Sequence, residues 1–127
     1  MRRKINPNIK LFDKKKKLLP LNKLKKKAEG IFHKWIVNRD KRICFTCDSV
    51  GNQAGHYQHG KLDFDEDNLH CQCPRCNKWL HGNLAVYQMK LIHLYGLKWV
   101  EDLILRSHTQ SNKFTREQLE ALIKRYS

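Results

Sequence analysis

Two short cysteine motifs, Cys44-Phe45-Thr46-Cys47 and Cys73-Pro74-Arg75-Cys76, decide how this chain folds. Residues 48–72 lie between them. Each motif makes a tight knuckle whose two thiolates can converge on one zinc ion, and four sulfur ligands leave that ion no open coordination position. The spacing therefore predicts a structural zinc site with Cys44, Cys47, Cys73 and Cys76 as its ligands.

The chain contains five cysteines, an odd number that excludes complete internal disulfide pairing. In a reducing compartment, paired C-x-x-C motifs are typical of metal binding rather than of oxidation. Free or redox-active cysteines are the alternative. Cys71 lies outside both knuckles, and we expect it to be a bystander. A chain of 127 residues builds only a modest core, so a metal would supply stability that hydrophobic burial alone does not.

Histidine and asparagine residues surround the knuckles in an order that suits phosphodiester hydrolysis. His56 follows the first knuckle, Asn68 precedes the second, and Asn77 directly follows its last cysteine. A neutral imidazole near pH 7 can deprotonate an attacking water, so His56 is the candidate general base. Asn68 lies across the predicted hairpin and is expected to orient that imidazole by a hydrogen bond.

The same chemistry requires a hard divalent cation, Mg²⁺ or Mn²⁺, to neutralise charge on the phosphate and the departing oxygen. Asn77 would offer its carbonyl oxygen to this ion, although alone it could be only a helix cap. A helix is predicted to begin near Pro74. His81 lies four residues after Asn77, on the same face of this predicted helix, and is a second candidate ligand. The acidic loop, residues 63–67, is predicted to be a solvated turn, with Asp63 or Asp65 as less favoured ligands.

The chain is strongly basic, with 26 Lys and Arg against 12 Asp and Glu residues and a formal net charge of +14. Such an excess repels itself unless a polyanion neutralises it, and nucleic acid does so with release of counterions. A membrane surface is the competing partner. No stretch reaches the roughly 18 to 20 apolar residues of a spanning helix, and no signal peptide is evident. We therefore expect a DNA partner, no membrane, and a cytoplasmic location.

The basic charge is concentrated at one end of the chain. Twelve Lys and Arg residues and only two acids lie in the first thirty positions. Proline residues interrupt any long helix there, so residues 1–20 are predicted to be a flexible basic arm. Residues 21–127 form a single HNH-like nuclease domain in this interpretation, with a zinc and catalytic core at about 41–83 and C-terminal helices at 84–127.

Hydrophobic periodicity predicts helices on both sides of this core. Apolar residues at three- and four-residue steps from Leu21 to Asp40 predict an amphipathic helix, which Gly30 is expected to weaken or divide. After Gly82 the same period predicts three helices, the last with a capping box at Thr115. Short strands are expected near residues 43–45, 54–58 and 69–70. The predicted fold class is α+β: a small zinc-stapled ββα-metal (HNH-like) core flanked by α-helices.

Taken together, these residues resemble the NinG (Rap) recombination proteins of lambdoid phages, from about residue 28 to the C-terminus. The resemblance is carried by Arg39-Asp40, both knuckles, Ala54-Gly55-His56-Tyr57, Asn68, Gln72, Asn77, Gly82-Asn83, Tyr87 and Tyr95-Gly96. It implies a role in phage recombination and structure-specific cutting of branched DNA such as Holliday junctions, in the cytoplasm of a bacterial host. It also implies zinc at the four knuckle cysteines, a base at His56 and a metal ligand at Asn77.

The step from Cys76 to Asn77 also resembles the phage endonuclease VII resolvases, in which an asparagine behind the last zinc cysteine binds the catalytic metal. Many related nucleases have an aspartate directly before the catalytic histidine, as a metal ligand. Gly55 occupies that position here, as in the NinG pattern. The second ligand of the catalytic ion is therefore unidentified at this stage.

The leading interpretation is a metal-dependent DNA endonuclease, selective for branched DNA. The main alternative is a non-catalytic zinc-stapled module that binds DNA or RNA, which would have no need of a base such as His56 beside Asn77. A structural protein with a basic tail is a third reading, which leaves the His and Asn residues near the knuckles unexplained. Symmetric cutting of a junction would favour a homodimer.

Overall fold

The computed structural model describes residues 18–127. Residues 18–20 are exposed and have no regular secondary structure. The rest of the predicted basic arm lies outside the described residues. The elements, in chain order, are helix α1 (Leu21–Arg39), strand β1 (Gln53–His56), strand β2 (Leu69–Gln72), a π-helical turn (Arg75–Trp79), and helices α2 (Leu84–Tyr95), α3 (Leu97–Thr109) and α4 (Arg116–Tyr126). The fold is mixed α and β, mostly helical with one small sheet, as the α+β prediction requires.

Helix α1 forms where the apolar period predicted it. Leu24, Ala28, Phe32 and Ile36 recur every four residues and are all buried, so they form one stripe of the helix. This stripe packs against α4 and against the hairpin of β1 and β2. The predicted interruption at Gly30 is wrong. The helix runs through Gly30 because its missing side chain faces open space rather than a packing partner.

Strands β1 and β2 form an antiparallel hairpin in which Gln53 pairs with Gln72 and His56 with Leu69. The end of α1 holds this hairpin in place. The guanidinium of Arg39 donates to the backbone oxygens of Glu66 and Leu69, both at 2.8 Å. The neighbouring Asp40 accepts from the backbone N–H of Cys71 on β2.

The two helices after the sheet pack around a second core. Gly96 separates α2 from α3 and takes a φ of 97°, a conformation that favours glycine. Buried side chains of both helices pack against Tyr57 and Leu62, which follow strand β1; they are Tyr87, Leu91, Val100 and Leu103. The predicted capping box at Thr115 is confirmed, because its side chain and that of Gln118 bond reciprocally to backbone N–H groups.

The helix expected after Pro74 is only the five-residue π-helical turn that ends at Trp79. Backbone groups of the residues that follow close this turn, with Leu80 donating to Arg75 and Gly82 donating to Cys76. Across residues 18–127, no helix is both long and apolar enough to cross a bilayer.

Candidate metal centre and histidine site

The two knuckles bring their four cysteines together. The Sγ atoms of Cys44, Cys47, Cys73 and Cys76 all lie within 4.8 Å of one another. We call these residues the cysteine cluster. Cys47 is exposed and the other three are buried. Four convergent sulfur atoms are the donor set of a closed structural zinc site, so the cluster fits the zinc ion that the sequence predicted.

The surroundings of the cysteine cluster shift the pKa values of its thiols in opposite directions. Burial opposes the thiolate of Cys73, yet the backbone N–H of Cys76 and hydrogen bonds from neighbouring side chains lower its pKa to about 6. Burial raises the pKa of Cys76 to about 11. Neighbouring thiolates cannot all ionise together unless a cation neutralises them. Metal binding would therefore release protons and stabilise the folded knuckles.

Polar side chains support the sulfur atoms. Thr46 Oγ1 lies 3.4 Å from Cys44 Sγ, and Ser49 Oγ lies 2.9 Å from Cys47 Sγ. Hydroxyl groups around thiolate ligands orient them. Cys71 is fully buried outside the cluster, and burial raises the pKa of its thiol to about 11. The geometry is consistent with its expected role as a bystander.

His56 ends strand β1 and faces an acidic partner. Its Nε2 lies 3.3 Å from Asp63 Oδ1. The two side chains are in close contact but do not form an aligned hydrogen bond, because Nε2 has no hydrogen-bond partner of suitable geometry within residues 18–127. Lys25 Nζ lies 3.0 Å from the other oxygen of Asp63. His56 first, and then Lys25, hold the pKa of Asp63 well below its usual range, so this carboxylate is charged beside the imidazole.

The predicted hydrogen bond from Asn68 to His56 is not formed. The fully buried side chain of Asn68 instead accepts from the backbone N–H of Gln58 at 2.8 Å and donates to the carbonyl of Lys61 at 3.0 Å. It thereby closes the loop that follows β1, whose backbone groups would otherwise lack partners. Asp63 occupies the place beside His56 that sequence reasoning gave to Asn68.

Asn77 lies on the π-helical turn, directly beside strand β1. Its Nδ2 donates to Gln53 Oε1 at 2.9 Å. Its Oδ1 therefore points away from Gln53, and it would lie 2.9 Å from a Cβ atom placed on Gly55. The candidate ligand oxygen of Asn77 thus lies next to the residue that precedes His56.

His81 does not share a helical face with Asn77. The π-helical turn ends two residues before it, and His81 is exposed with a φ of 52° in the following turn. The prediction assumed that a regular helix continues beyond Pro74. The structure gives no support to His81 as a ligand on that helix.

Sequence reasoning missed His33, which lies on α1. Its ring centroid is 6.0 Å from that of His56, with the two rings nearly perpendicular. Burial, and then the positive field of His56, lower the pKa of His33. The sequence signals His33 only through its position directly after the buried Phe32. The packing of α1 against β1, which brings His33 close to His56, could not be predicted from the sequence.

An open groove of about 550 Å³ runs between α1 and the hairpin. Its lining residues are Gly30, His33, Lys34, Val37, Asn38, Arg42, Asn52, Gln53, Ala54 and Asn77. Lysine, arginine and amide side chains of this kind are those that contact nucleic-acid phosphates. The groove places His33 and Asn77 on one surface of the molecule.

Tyr87 anchors the backbone beside His56. Its buried hydroxyl donates to the carbonyl of Gly55 at 2.8 Å and lies 3.0 Å from His70 Nδ1. Since the hydroxyl proton is used on Gly55, His70 Nδ1 must be the donor in the second bond. Burial lowers the pKa of His70 to about 4, which keeps this imidazole neutral near pH 7.

The acidic loop forms interactions within the protein. Asp65 and Asp67 both contact Arg106 of α3, and Glu66 accepts from the hydroxyl of Tyr126. Asp63 contacts His56 rather than Asn77. The loop is therefore a partly buried turn paired with protein groups, and the predicted solvated turn is wrong.

Comparison with known proteins places the chain in a family. The family model for Bacteriophage Lambda NinG protein matches residues 2–127. Protein ninG of Escherichia phage 933W and Protein ninG of Salmonella phage P22 are each 31% identical over 109 residues, which are 80% of this chain and 53% of each relative. Protein ninG of Escherichia phage lambda is 30% identical over 109 residues, 80% of this chain and 52% of that protein. The chain spans about half the length of these curated relatives. No solved structure shows significant similarity. The chain belongs to the NinG family.

Proposed function

We propose that this chain is a metal-dependent DNA endonuclease in which His56 is the general base. The observation that carries the proposal is the contact between His56 Nε2 and the charged Asp63 at the end of a hairpin held by the cysteine cluster. A histidine that must accept a proton from water benefits from a neighbouring carboxylate, because the carboxylate stabilises the imidazolium that forms.

The carboxylate also selects the working ring nitrogen. With Nε2–H facing Asp63, Nδ1 is the atom left to accept a proton from water. Tyr87 holds the carbonyl of Gly55, and Asp63 Oδ1 lies 3.3 Å from Nε2 of the ring. The backbone next to the base is therefore fixed, which limits the motion that proton transfer would otherwise have to overcome.

A divalent cation, Mg²⁺ or Mn²⁺, would neutralise negative charge on the phosphate and the leaving oxygen. Asn77 is the candidate ligand because its Oδ1 lies beside the strand that carries His56. Strands β1 and β2 lie between the two cysteine motifs, and the π-helical turn contains the last cysteine. This order of elements supports an HNH-like core. In that arrangement Asn68 contributes by closing the loop after His56 rather than by touching the ring.

The groove between α1 and the hairpin would hold the DNA backbone. Lys34 and Arg42 line it, and the first thirty residues carry twelve further Lys and Arg residues. Contacts of this kind recognise phosphates and DNA shape rather than base sequence. They suit branched recombination intermediates, and a phage origin suits action in the bacterial cytoplasm.

The proposal is tested with zinc-loaded protein and labelled four-way junction, flap and linear duplex of matched sequence. Each DNA is incubated with Mg²⁺, with Mn²⁺ and with EDTA, beside a His56→Ala variant. A His108→Ala variant is the matched control, because His108 is exposed on α3. We expect cutting that requires metal, is lost in His56→Ala and persists in His108→Ala, with the junction cut fastest.

Binding of all three DNAs without cutting in any metal would overturn the enzyme proposal and favour a zinc-stapled binding module. Equal cutting of junction and duplex would leave a nuclease that is not selective for branches. Light scattering on the same preparation tests the homodimer, and a monomer at micromolar concentration would contradict it.

A further inference from the structure

Gln72 is a fully buried polar residue whose amide is only half satisfied. Its Nε2 donates to the carbonyl of Gly82 at 2.8 Å and to Thr46 Oγ1 at 3.0 Å. The carbonyl of Gly82 can only accept, so the nitrogen and oxygen of this amide cannot be exchanged. Its Oε1 is buried and has no donor within residues 18–127. A buried acceptor without a partner costs about 1–3 kcal/mol, so its retention needs a reason.

The orphaned oxygen points at the same place as the candidate ligand oxygen of Asn77. A Cβ atom placed on Gly55 would lie 1.8 Å from Gln72 Oε1 and 2.9 Å from Asn77 Oδ1. Two partially negative oxygens therefore converge beside a residue that has no side chain. Nδ2 of Asn77 donates to Gln53 Oε1, so in this arrangement neither amide offers the other a proton.

We propose that Gln72 Oε1 and Asn77 Oδ1 are the paired protein ligands of the divalent cation. The inference rests on the proposed nuclease function and identifies the second ligand of its metal. Hard cations such as Mg²⁺ and Mn²⁺ prefer oxygen ligands, and Gly55 is required because any side chain there would occupy the space of Gln72 Oε1. Both oxygens are neutral, so the ion is held weakly by protein alone and more tightly when a DNA phosphate joins them.

The cysteine cluster orients this ligand. Since Thr46 Oγ1 accepts from Gln72 Nε2, its own proton is free to donate to Cys44 Sγ. A chain of two hydrogen bonds therefore joins a zinc ligand to the amide of Gln72. This gives the cluster a role in positioning the second metal site as well as in folding.

An ordered water that donates to both oxygens is the competing explanation. A carbon-13 NMR titration of the zinc-loaded wild-type protein with Mg²⁺ separates the two. We expect the side-chain carbonyl signals of Gln72 and Asn77 to shift together with one dissociation constant. The carbonyl of Gln88 accepts from the Tyr57 hydroxyl away from this site and is expected not to shift.

A variant pair tests the same inference by affinity. Gln72→Met keeps the volume and removes the amide, and Gln88→Met is its matched control. Mn²⁺ binding to the complex with a non-hydrolysable DNA, measured by electron paramagnetic resonance, is expected to weaken about tenfold or more in Gln72→Met and to stay unchanged in Gln88→Met. Retained zinc and circular dichroism verify folding.

A compensating double variant distinguishes the loss of a metal ligand from a folding defect. In Gly55→Asp the new side chain collides with Gln72 Oε1, whereas Gly55→Asp with Gln72→Ala vacates that space and supplies a carboxylate. We expect the double variant to bind Mn²⁺ at least as tightly as the wild type. Unchanged Mn²⁺ binding in Gln72→Met, or a folded, zinc-loaded double variant that does not bind Mn²⁺, would overturn the inference.

The outcomes distinguish this inference from the proposed function. If Asn77 alone shifts with Mg²⁺ and the protein cuts DNA, Gln72 is not a ligand and the nuclease proposal stands. If neither carbonyl shifts and no metal supports cutting, both proposals fail. Joint shifts with weakened binding in Gln72→Met support the ligand pair.

Discussion

At the residue scale, the account depends on a few close contacts around His56. The most informative is the close contact between His56 and Asp63. The sequence did not predict it, because it joins the end of β1 to a loop residue seven positions later. Asp63 carries a negative charge, since His56 and Lys25 lower the pKa of its carboxyl group. The carboxylate is therefore ionised throughout the range in which the enzyme would work.

Asp63→Asn keeps the shape of this side chain and removes its charge. We expect the single-turnover cutting rate to fall about tenfold or more, because the imidazolium formed by proton transfer loses its counter-charge. DNA affinity should not weaken, since Asp63 repels rather than attracts phosphate. Asp102→Asn, an exposed acid paired with Lys98, is the control. Loss of DNA binding in Asp63→Asn would show a structural role instead.

Gly55→Ala tests the close packing of Gly55 against Gln72. The new Cβ would lie 1.8 Å from Gln72 Oε1, so we expect a loss of about 1–3 kcal/mol in the free energy of unfolding. Gly30→Ala is the matched control, because no atom lies within 4 Å of its Cβ position. A helical glycine costs about 0.5–1 kcal/mol relative to alanine, so we expect this variant to be more stable than wild type. Urea unfolding measures both. A Gly55→Ala protein as stable as wild type would contradict the geometry.

At the element scale, the sequence predicted what local patterns determine. Helices α1 to α4, the capping box at Thr115 and the cysteine cluster follow from periodicity and spacing within short stretches. The roles of Asn68, His33 and Gln72 depend instead on how α1, the hairpin and the π-helical turn pack together. His81 was misplaced for a related reason, because backbone bonds that close the turn end the helix early.

The bond between His70 and Tyr87 joins β2 to α2 and should make stability depend on pH. Burial lowers the pKa of His70 from its ordinary 6.5 to about 4, so the unfolded chain binds more protons than the folded one between these values. The stabilising contribution of neutral His70 is complete above pH 6.5 and is lost as pH falls toward 4.

Urea unfolding between pH 7 and pH 5 measures this dependence. We expect His70→Phe to be less stable than wild type at pH 7, because Tyr87 loses a partner, and to lose less stability on acidification. The comparison isolates His70 from the cysteine thiolates, which both proteins share. Equal losses in the two proteins would show that His70 does not titrate as described.

At the scale of the whole molecule, a zinc ion in the cysteine cluster would connect folding to the proposed function. The core around residues 41–83 contains short strands and long turns, and we expect its cohesion to depend on a metal ion in the cysteine cluster. Removal of zinc by a chelator is expected to unfold the hairpin and abolish cutting, and Mg²⁺ alone should not restore either. Circular dichroism and thermal unfolding follow the loss. A zinc-free protein with an unchanged melting temperature would contradict a structural metal.

The central claim is that His56 is the base of a DNA-cutting reaction. Single-turnover cutting of a four-way junction by wild type and His56→Ala, at enzyme concentrations that saturate both with DNA, tests it most directly. The account predicts equal DNA affinity and a cutting rate about 10²–10⁴-fold lower in the variant. Cutting by His56→Ala at the wild-type rate would contradict it.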